Sequence, residues 1–201
     1  MDAKTKQYYD LESLTEDFYR RDTVVVAKEL LGCSLVRTID GTKIVCKIVE
    51  CEAYYGKGDD ASHAASGVTP RNKIMFGPPG RAYVYFNYGV HHLLNIVTEK
   101  EGTPGAVLIR AIQPMDGEEI LRKNRPVKNS VDLTNGPGKL TQALGIDLEF
   151  NGVELFGGDL FMSRGETSPV KIVATERIGI SFGKELLYRF YIDNNIFVSR
   201  K

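Results

Sequence analysis

The sequence is poor in the features that would tie a chain to a disulfide scaffold, a membrane or a charged polymer. Its three cysteines, Cys33, Cys46 and Cys51, are an odd number with no C-x-x-C or mixed Cys/His spacing. That excludes a disulfide framework and gives no metal signature, so the thiols read as reduced and structural. Lys plus Arg and Asp plus Glu are equal at 26 each. A chain so balanced cannot hold nucleic acid by bulk charge, and any anion site on it has to be local. No apolar run approaches the roughly 18 to 20 residues of a membrane span, and the first twenty residues are too charged for a secretory signal. The expectation is a cytoplasmic protein with no membrane partner. Internal repeats, low-complexity tracts and long Pro/Gly/Ser linkers are also missing, which favours one domain over residues 1–201.

What is present suffices for a substantial core, with 42% of 201 residues hydrophobic. Asp22 is placed to N-cap a helix carrying Val25, Val26, Leu30 and Leu31, with Gly32 suited to its C-terminus. Residues 33–39 and 43–54 are β-branched and flank Asp40-Gly41, a two-residue hairpin signal. Residues 81–87 and 91–98 flank a second tight turn at Tyr88-Gly89, and 105–112 supply a further strand. Segments 115–124 and 137–145 have helical composition, while 153–161, 170–174 and 187–199 look extended. Strands adjoin strands more often than they alternate with helices. The fold class predicted is α+β: a single compact domain on a mainly antiparallel, curved sheet flanked by helices, with a protruding β-hairpin.

Several residues stand out chemically. By the two-residue strand period, Ile44, Cys46, Ile48, Glu50, Glu52 and Tyr54 fall on one face of 43–54, and Val45, Lys47, Val49, Cys51 and Ala53 on the other. Glu50 and Glu52 are then either a solvated strand end or carboxylates desolvated enough for general acid or base work. Tyr83 and Tyr85 share a strand face, and Tyr88 at the turn has nothing intramolecular to bury against. Aromatic faces of this kind stack on nucleobases, though a hairpin-tip tyrosine also occurs without function. The polar connection 56–80 holds His63, and its Arg71 and Lys73 give local positive charge. Arg110 lies inside the apolar run 106–112 and requires a carboxylate or phosphate partner, Glu50 and Glu52 being available. Gly136-Pro137-Gly138-Lys139 opens a helical run whose free N–H groups, with Lys139, suit a phosphate oxygen, although the spacing is not that of a nucleotide-binding P-loop. His91 and His92 are adjacent and point to opposite faces, so no metal site is expected.

Taken together, Glu52-Ala53-Tyr54, His63, Thr69-Pro70-Arg71-Asn72, Tyr83-Val84-Tyr85, Tyr88-Gly89, Asn95, Leu108 with Arg110, and Gly136-Pro137-Gly138-Lys139-Leu140 resemble the alkyladenine (3-methyladenine) DNA glycosylase family. The match continues through Arg189-Phe190-Tyr191-Ile192 and Phe197-Val198-Ser199 and so spans nearly the whole chain.

The resemblance implies a monofunctional, metal- and cofactor-independent enzyme of base excision repair. It would approach duplex DNA from the minor groove, flip out 3-methyladenine, 7-methylguanine or the deaminated base hypoxanthine, and hydrolyse the N-glycosidic bond. By resemblance, Glu52 activates a water that Arg110 and the main-chain carbonyl of Val198 help to hold. Tyr54, His63 and Tyr85 sandwich the flipped base, Asn95 screens normal purines, and Leu108 shapes the pocket wall. Tyr88 fills the gap in the duplex, and Arg71, Lys73 and Lys139 contact its backbone, with Arg81 adding to the positive face. A monomer is implied, located in the cytoplasm and on the nucleoid if bacterial. The alternative is a non-catalytic protein that binds damaged bases, and a nucleoside hydrolase acting on small substrates is a further one. A carboxylate buried beside an arginine argues against the pure binder.

Overall fold

A computed structural model describes residues 11–87, 89–165 and 171–200. Two short helices come first, α1 (Glu16–Tyr19) and α2 (Thr23–Glu29). Asp22 caps α2 as expected, its Oδ1 accepting from the Val25 N–H at 3.0 Å. Val26, Leu30 and Leu31 are buried, whereas Val25, expected on the apolar face, is exposed. The chain then enters β1 (Ser34–Ile39) and β2 (Thr42–Tyr55). Their turn has positive φ at both Asp40 (49°) and Gly41 (76°), the conformation that matches the twist of a two-residue hairpin.

A hairpin of β3 (Ala82–Asn87) and β4 (His91–Val97) follows, then the long β5 (Gly105–Asp116). Helices α3 (Glu118–Asn124), α4 (Val131–Thr134) and α5 (Pro137–Leu144) precede the short strands β6 (Leu160–Ser163), β7 (Ile172–Thr175) and β8 (Arg189–Ile192). Of the expected extended segment 153–161, only the end enters a strand, and residues 115 and 116, expected as helix, close β5 instead. The sheet order is β3-β4-β5-β2-β1-β6, and β8 pairs with β2 and β7. All the pairs are antiparallel, giving the curved antiparallel α+β architecture.

Strand β2 organises the molecule. One edge pairs with β5 from Val45 to Tyr55. The other pairs first with β1, through Lys47, and then with β8, from Glu50 to Glu52. Register shifts flank Glu50: the β2–β5 ladder runs Ile48↔Ile112, Glu50↔Ala111, Cys51↔Ile109, so Val49 and Arg110 are each passed over. A bulge leaves one residue unpaired and shifts the alternation of faces by one. Ile44, Cys46 and Ile48 therefore join Cys51 and Ala53 in the main core, while Val49 lies in a separate cluster with Ala111 and Phe197. This corrects the strict period-2 reading, which grouped Ile44, Cys46 and Ile48 with the two glutamates.

The main core fills the space between the sheet and the helices, where Leu30, Leu121, Leu140 and Leu144 meet Leu35, Ile96, Ile109 and Ile112. Burial of such side chains is worth about 1.5–3 kcal/mol each. All three cysteines are buried and unpaired. The opposite face of β3, β4, β5 and β2 is left for the site.

Candidate active site

On that face the two-residue period sets one row per strand: Tyr83, Tyr85 and Asn87 from β3, His91, Leu93 and Asn95 from β4, and Ala106, Leu108 and Arg110 from β5. Tyr54 enters from β2, and the far walls are the start of α5 (Gly136–Lys139) and residues 178–180. Together they enclose a cavity of about 450 Å3, the size of a site for a small molecule or a single base.

Glu52 is 0% exposed and is reached from this cavity through three residues that line it, Tyr54, Arg110 and Ile178. Its Oε2 accepts from the Tyr54 hydroxyl at 2.7 Å and from Arg110 Nη1 at 3.1 Å, and its Oε1 accepts from the Ile178 N–H at 2.7 Å. Three donors hold the carboxylate in one orientation and offset the cost of burying it. Burial first, and then the Glu52 charge, pushes the Tyr54 hydroxyl well above the ordinary phenol range, so it remains a donor.

The aromatic wall is similarly fixed. The Tyr85 ring centroid lies 4.7 Å from His63, edge-on, and 5.2 Å from Tyr83. His63 Nδ1 is 3.0 Å from the Tyr83 hydroxyl. Burial, with Tyr83 alongside, pushes the Tyr85 hydroxyl up to about 12. The loop bearing His63 is organised by Asn72, whose Nδ2 donates to the carbonyls of His63 at 2.7 Å and Gly67 at 2.9 Å. Asn95 is buried, its Nδ2 donating to the Tyr83 carbonyl at 3.1 Å, and Leu108 is buried in the wall. Gly138 has to be glycine here, because a Cβ would stand 2.6 Å from His91 Cγ.

Arg71 is the one expected phosphate contact that also touches the aromatic wall, its guanidinium 4.8 Å from the Tyr85 centroid. Partial burial and then the Arg71 charge hold the His63 imidazole below its ordinary pKa. Replacing Arg71 with Ala is expected to move the His63 titration midpoint, followed by imidazole proton shifts in NMR, towards higher pH. A midpoint that stays put would show that Arg71 does not act on His63. Lys73 is exposed, while Lys139 donates to Asn135 Oδ1 at 2.7 Å from the cavity wall. Arg81 does not contribute a free charge as expected, since its Nη2 lies 2.7 Å from Glu154.

Val198 and Tyr88 are the remaining expected residues. Val198 is buried beside Phe197 and is not among the cavity-lining residues, and the main-chain group hydrogen-bonded to Glu52 is the Ile178 N–H, a donor to the carboxylate. The loop before β8 thus reaches Glu52, and the chain beyond β8 delivers Ser199 to Glu50. Tyr88, expected as the wedge, lies outside the described residues.

Sequence reasoning also missed the pair that holds this loop. Arg177 contacts both Asp59 oxygens, at 2.7 and 2.6 Å, donates to the Ala53 carbonyl at 3.0 Å, and sits 4.7 Å from the Tyr54 ring centroid. No spacing rule could have paired residues so far apart in sequence. Among the described residues no group of three or more His, Cys, Asp or Glu side chains is arranged to hold a metal.

A carboxylate held rigidly by residues that line an aromatic cavity on a curved antiparallel sheet can activate water beside a bound base, the chemistry of a monofunctional DNA glycosylase that hydrolyses N-glycosyl bonds. Residues 17–196 match the family model described as Methylpurine-DNA glycosylase (MPG), and the chain belongs to that family. Similar proteins carry the name "Putative 3-methyladenine DNA glycosylase". The one from Carboxydothermus hydrogenoformans is 51% identical over 190 residues, covering 94% of this chain and 99% of its own. Those from Chlorobium phaeobacteroides and Methanocella arvoryzae are 50% and 46% identical, each over 193 residues. They cover 95% and 94% of this chain, and 97% and 96% of their own length.

Proposed function

We propose that the protein excises alkylated or deaminated purines, among them 3-methyladenine, 7-methylguanine and hypoxanthine, after flipping them from duplex DNA into the cavity. The observation that carries this reading is the geometry of Glu52, oriented by Tyr54, Arg110 and Ile178, which themselves line the aromatic cavity. Glu52 takes a proton from a water whose oxygen bonds to the sugar C1′ as the C1′–N bond breaks, its electron pair leaving with the base. The negative charge of Glu52 also stabilises the developing oxocarbenium character of the sugar. A cationic alkylated purine leaves without further protonation and is held well by electron-rich rings, here Tyr54, Tyr85 and His63. A neutral lesion needs a proton on its leaving nitrogen as well.

Asn95 and Leu108 shape the pocket against normal purines. Tyr88, which falls between β3 and β4 in sequence, replaces the flipped nucleotide from the minor-groove side, offsetting unstacking that costs a few kcal/mol. Arg71, Lys73 and Lys139 contact backbone phosphates as a local patch on a neutral chain. The whole of residues 1–201 acts as one glycosylase domain and as a monomer in the cytoplasm.

The test uses two labelled duplexes, one with 7-methylguanine and one with hypoxanthine, incubated with the protein and a chelator and scored for abasic sites. The free nucleosides of the same bases serve as the comparison. Excision from at least one duplex with none from the nucleosides is the expected result. Tight binding of both duplexes without excision would instead make the protein a lesion sensor, and efficient nucleoside cleavage would make it a small-substrate hydrolase.

A further inference from the structure

Behind Glu52 lies a second carboxylate that the proposed reaction does not use. Glu50 is 0% exposed and, two residues before Glu52 on β2, shares its side of the sheet by ordinary alternation, while the bulge at Val49 sets it opposite to Ile48. Two carboxylates two residues apart and cut off from water repel each other, and an apolar residue would occupy such a position more cheaply. Arg189 Nε donates to Glu50 Oε1 at 2.6 Å, as does Ser199 Oγ at 2.9 Å, and the Ser199 N–H donates to Oε2 at 2.7 Å. Arg110 stands between the two carboxylates. Its Nη1 is 3.1 Å from Glu52 Oε2, while its buried Nε makes no hydrogen bond and only a looser 3.4 Å ion contact with Glu50 Oε1.

The four groups thus form a chain of alternating charge, Glu52, Arg110, Glu50 and Arg189, in which two carboxylates compete for one guanidinium. Arg189 and Ser199 nearly satisfy Glu50, and this leaves Arg110 leaning towards Glu52. We propose that Glu50 is a positioning residue for the reaction: acting through Arg110, it sets how much of the guanidinium Glu52 receives. The inference rests on the reading of Glu52 as the general base.

The groups that face this pair are few. Tyr54 on β2 and Tyr85 on β3 keep their protons because burial pushes both hydroxyls up, and the Cys51 thiol on β2 is pushed up in the same way. Arg110 on β5, Arg177 on the loop and Arg189 on β8 remain cationic. Asp59 is engaged by Arg177 through both oxygens, and the last residues contribute Ser199 and the Arg200 carbonyl. The His63 imidazole across the cavity is held below its ordinary pKa, and its own midpoint can be followed separately.

The experiment measures single-turnover excision of 7-methylguanine from duplex DNA against pH. This lesion is already cationic, so no proton on the leaving base enters the acidic limb, and the separately followed His63 midpoint identifies any part of the limb that belongs to His63. Glu50→Gln removes a negative charge and releases Arg110 to Glu52, and the limb should move to lower pH by about half a unit or more. Ser199→Ala deprives Glu50 of one donor, draws Arg110 back, and should move the limb to higher pH. The His63 midpoint should stay constant in both. Opposite shifts support the proposal, since a purely structural ion chain gives no sign relation between the two variants. Limbs that coincide with wild type, or that move together, overturn it. If Glu50→Gln does not fold, Ser199→Ala decides alone, and an unmoved limb overturns the proposal. Wild-type activity that survives Glu52→Gln would instead bring down the reading of Glu52 itself.

Discussion

Glu52→Gln is expected to lower single-turnover excision from a lesion duplex by at least about 100-fold, the lower bound for removing a well-placed general base. Affinity for the same duplex should stay within a few-fold, because the aromatic walls and the phosphate contacts remain. The substitution keeps the shape of the side chain but turns one carboxylate oxygen into an NH2 group. Among its three donors, Tyr54, Arg110 and the Ile178 N–H, at least one then meets a donor. That mismatch costs about 1–3 kcal/mol, so the rate has to be compared at a temperature where both proteins are folded. A variant retaining more than a tenth of the wild-type rate would remove Glu52 from the role of base.

The largest effect on stability is expected from Arg110→Met. Among the described residues the guanidinium is the only group shared by Glu50 and Glu52, and all three side chains are buried. Methionine fills much of the volume but leaves the two carboxylates with no cation between them. Breaking a buried pair in this way costs about 3–5 kcal/mol. For a chain of this size that lowers Tm by roughly 6–20 °C, read by thermal denaturation near neutral pH. The loss should shrink as the pH falls and the stranded carboxylates accept protons. A variant as stable as wild type at neutral pH would show that Arg110 is not what makes the buried carboxylates tolerable.

How far the site could be read in advance follows from how local each signal is. The rows on β3, β4 and β5 obey a simple two-residue alternation, so Tyr85, Asn95, Leu108 and Arg110 were identifiable from sequence and family likeness, and all four line one cavity. Alternation failed at Glu50, where a bulge shifts the count by one and nothing in the composition of 43–54 announces it. The Asp40-Gly41 turn and the Asp22 cap were legible because each depends on residues next to one another. The contacts of Ile178 with Glu52 and of Arg177 with Asp59 were not, since they are made by a loop that folds back across more than a hundred residues of chain.

The position of β2 in the sheet has a kinetic meaning as well. From Glu50 to Glu52 this strand is hydrogen-bonded on both edges, by β5 and by β8, and no part of it can fray without parting one of them. Its amide protons are expected to exchange with solvent only on global opening, and those of β3, at the margin of the sheet, sooner. The group proposed to do the chemistry thus sits on a strand held from both sides, and the strand pair proposed to probe the duplex begins at the margin of the sheet.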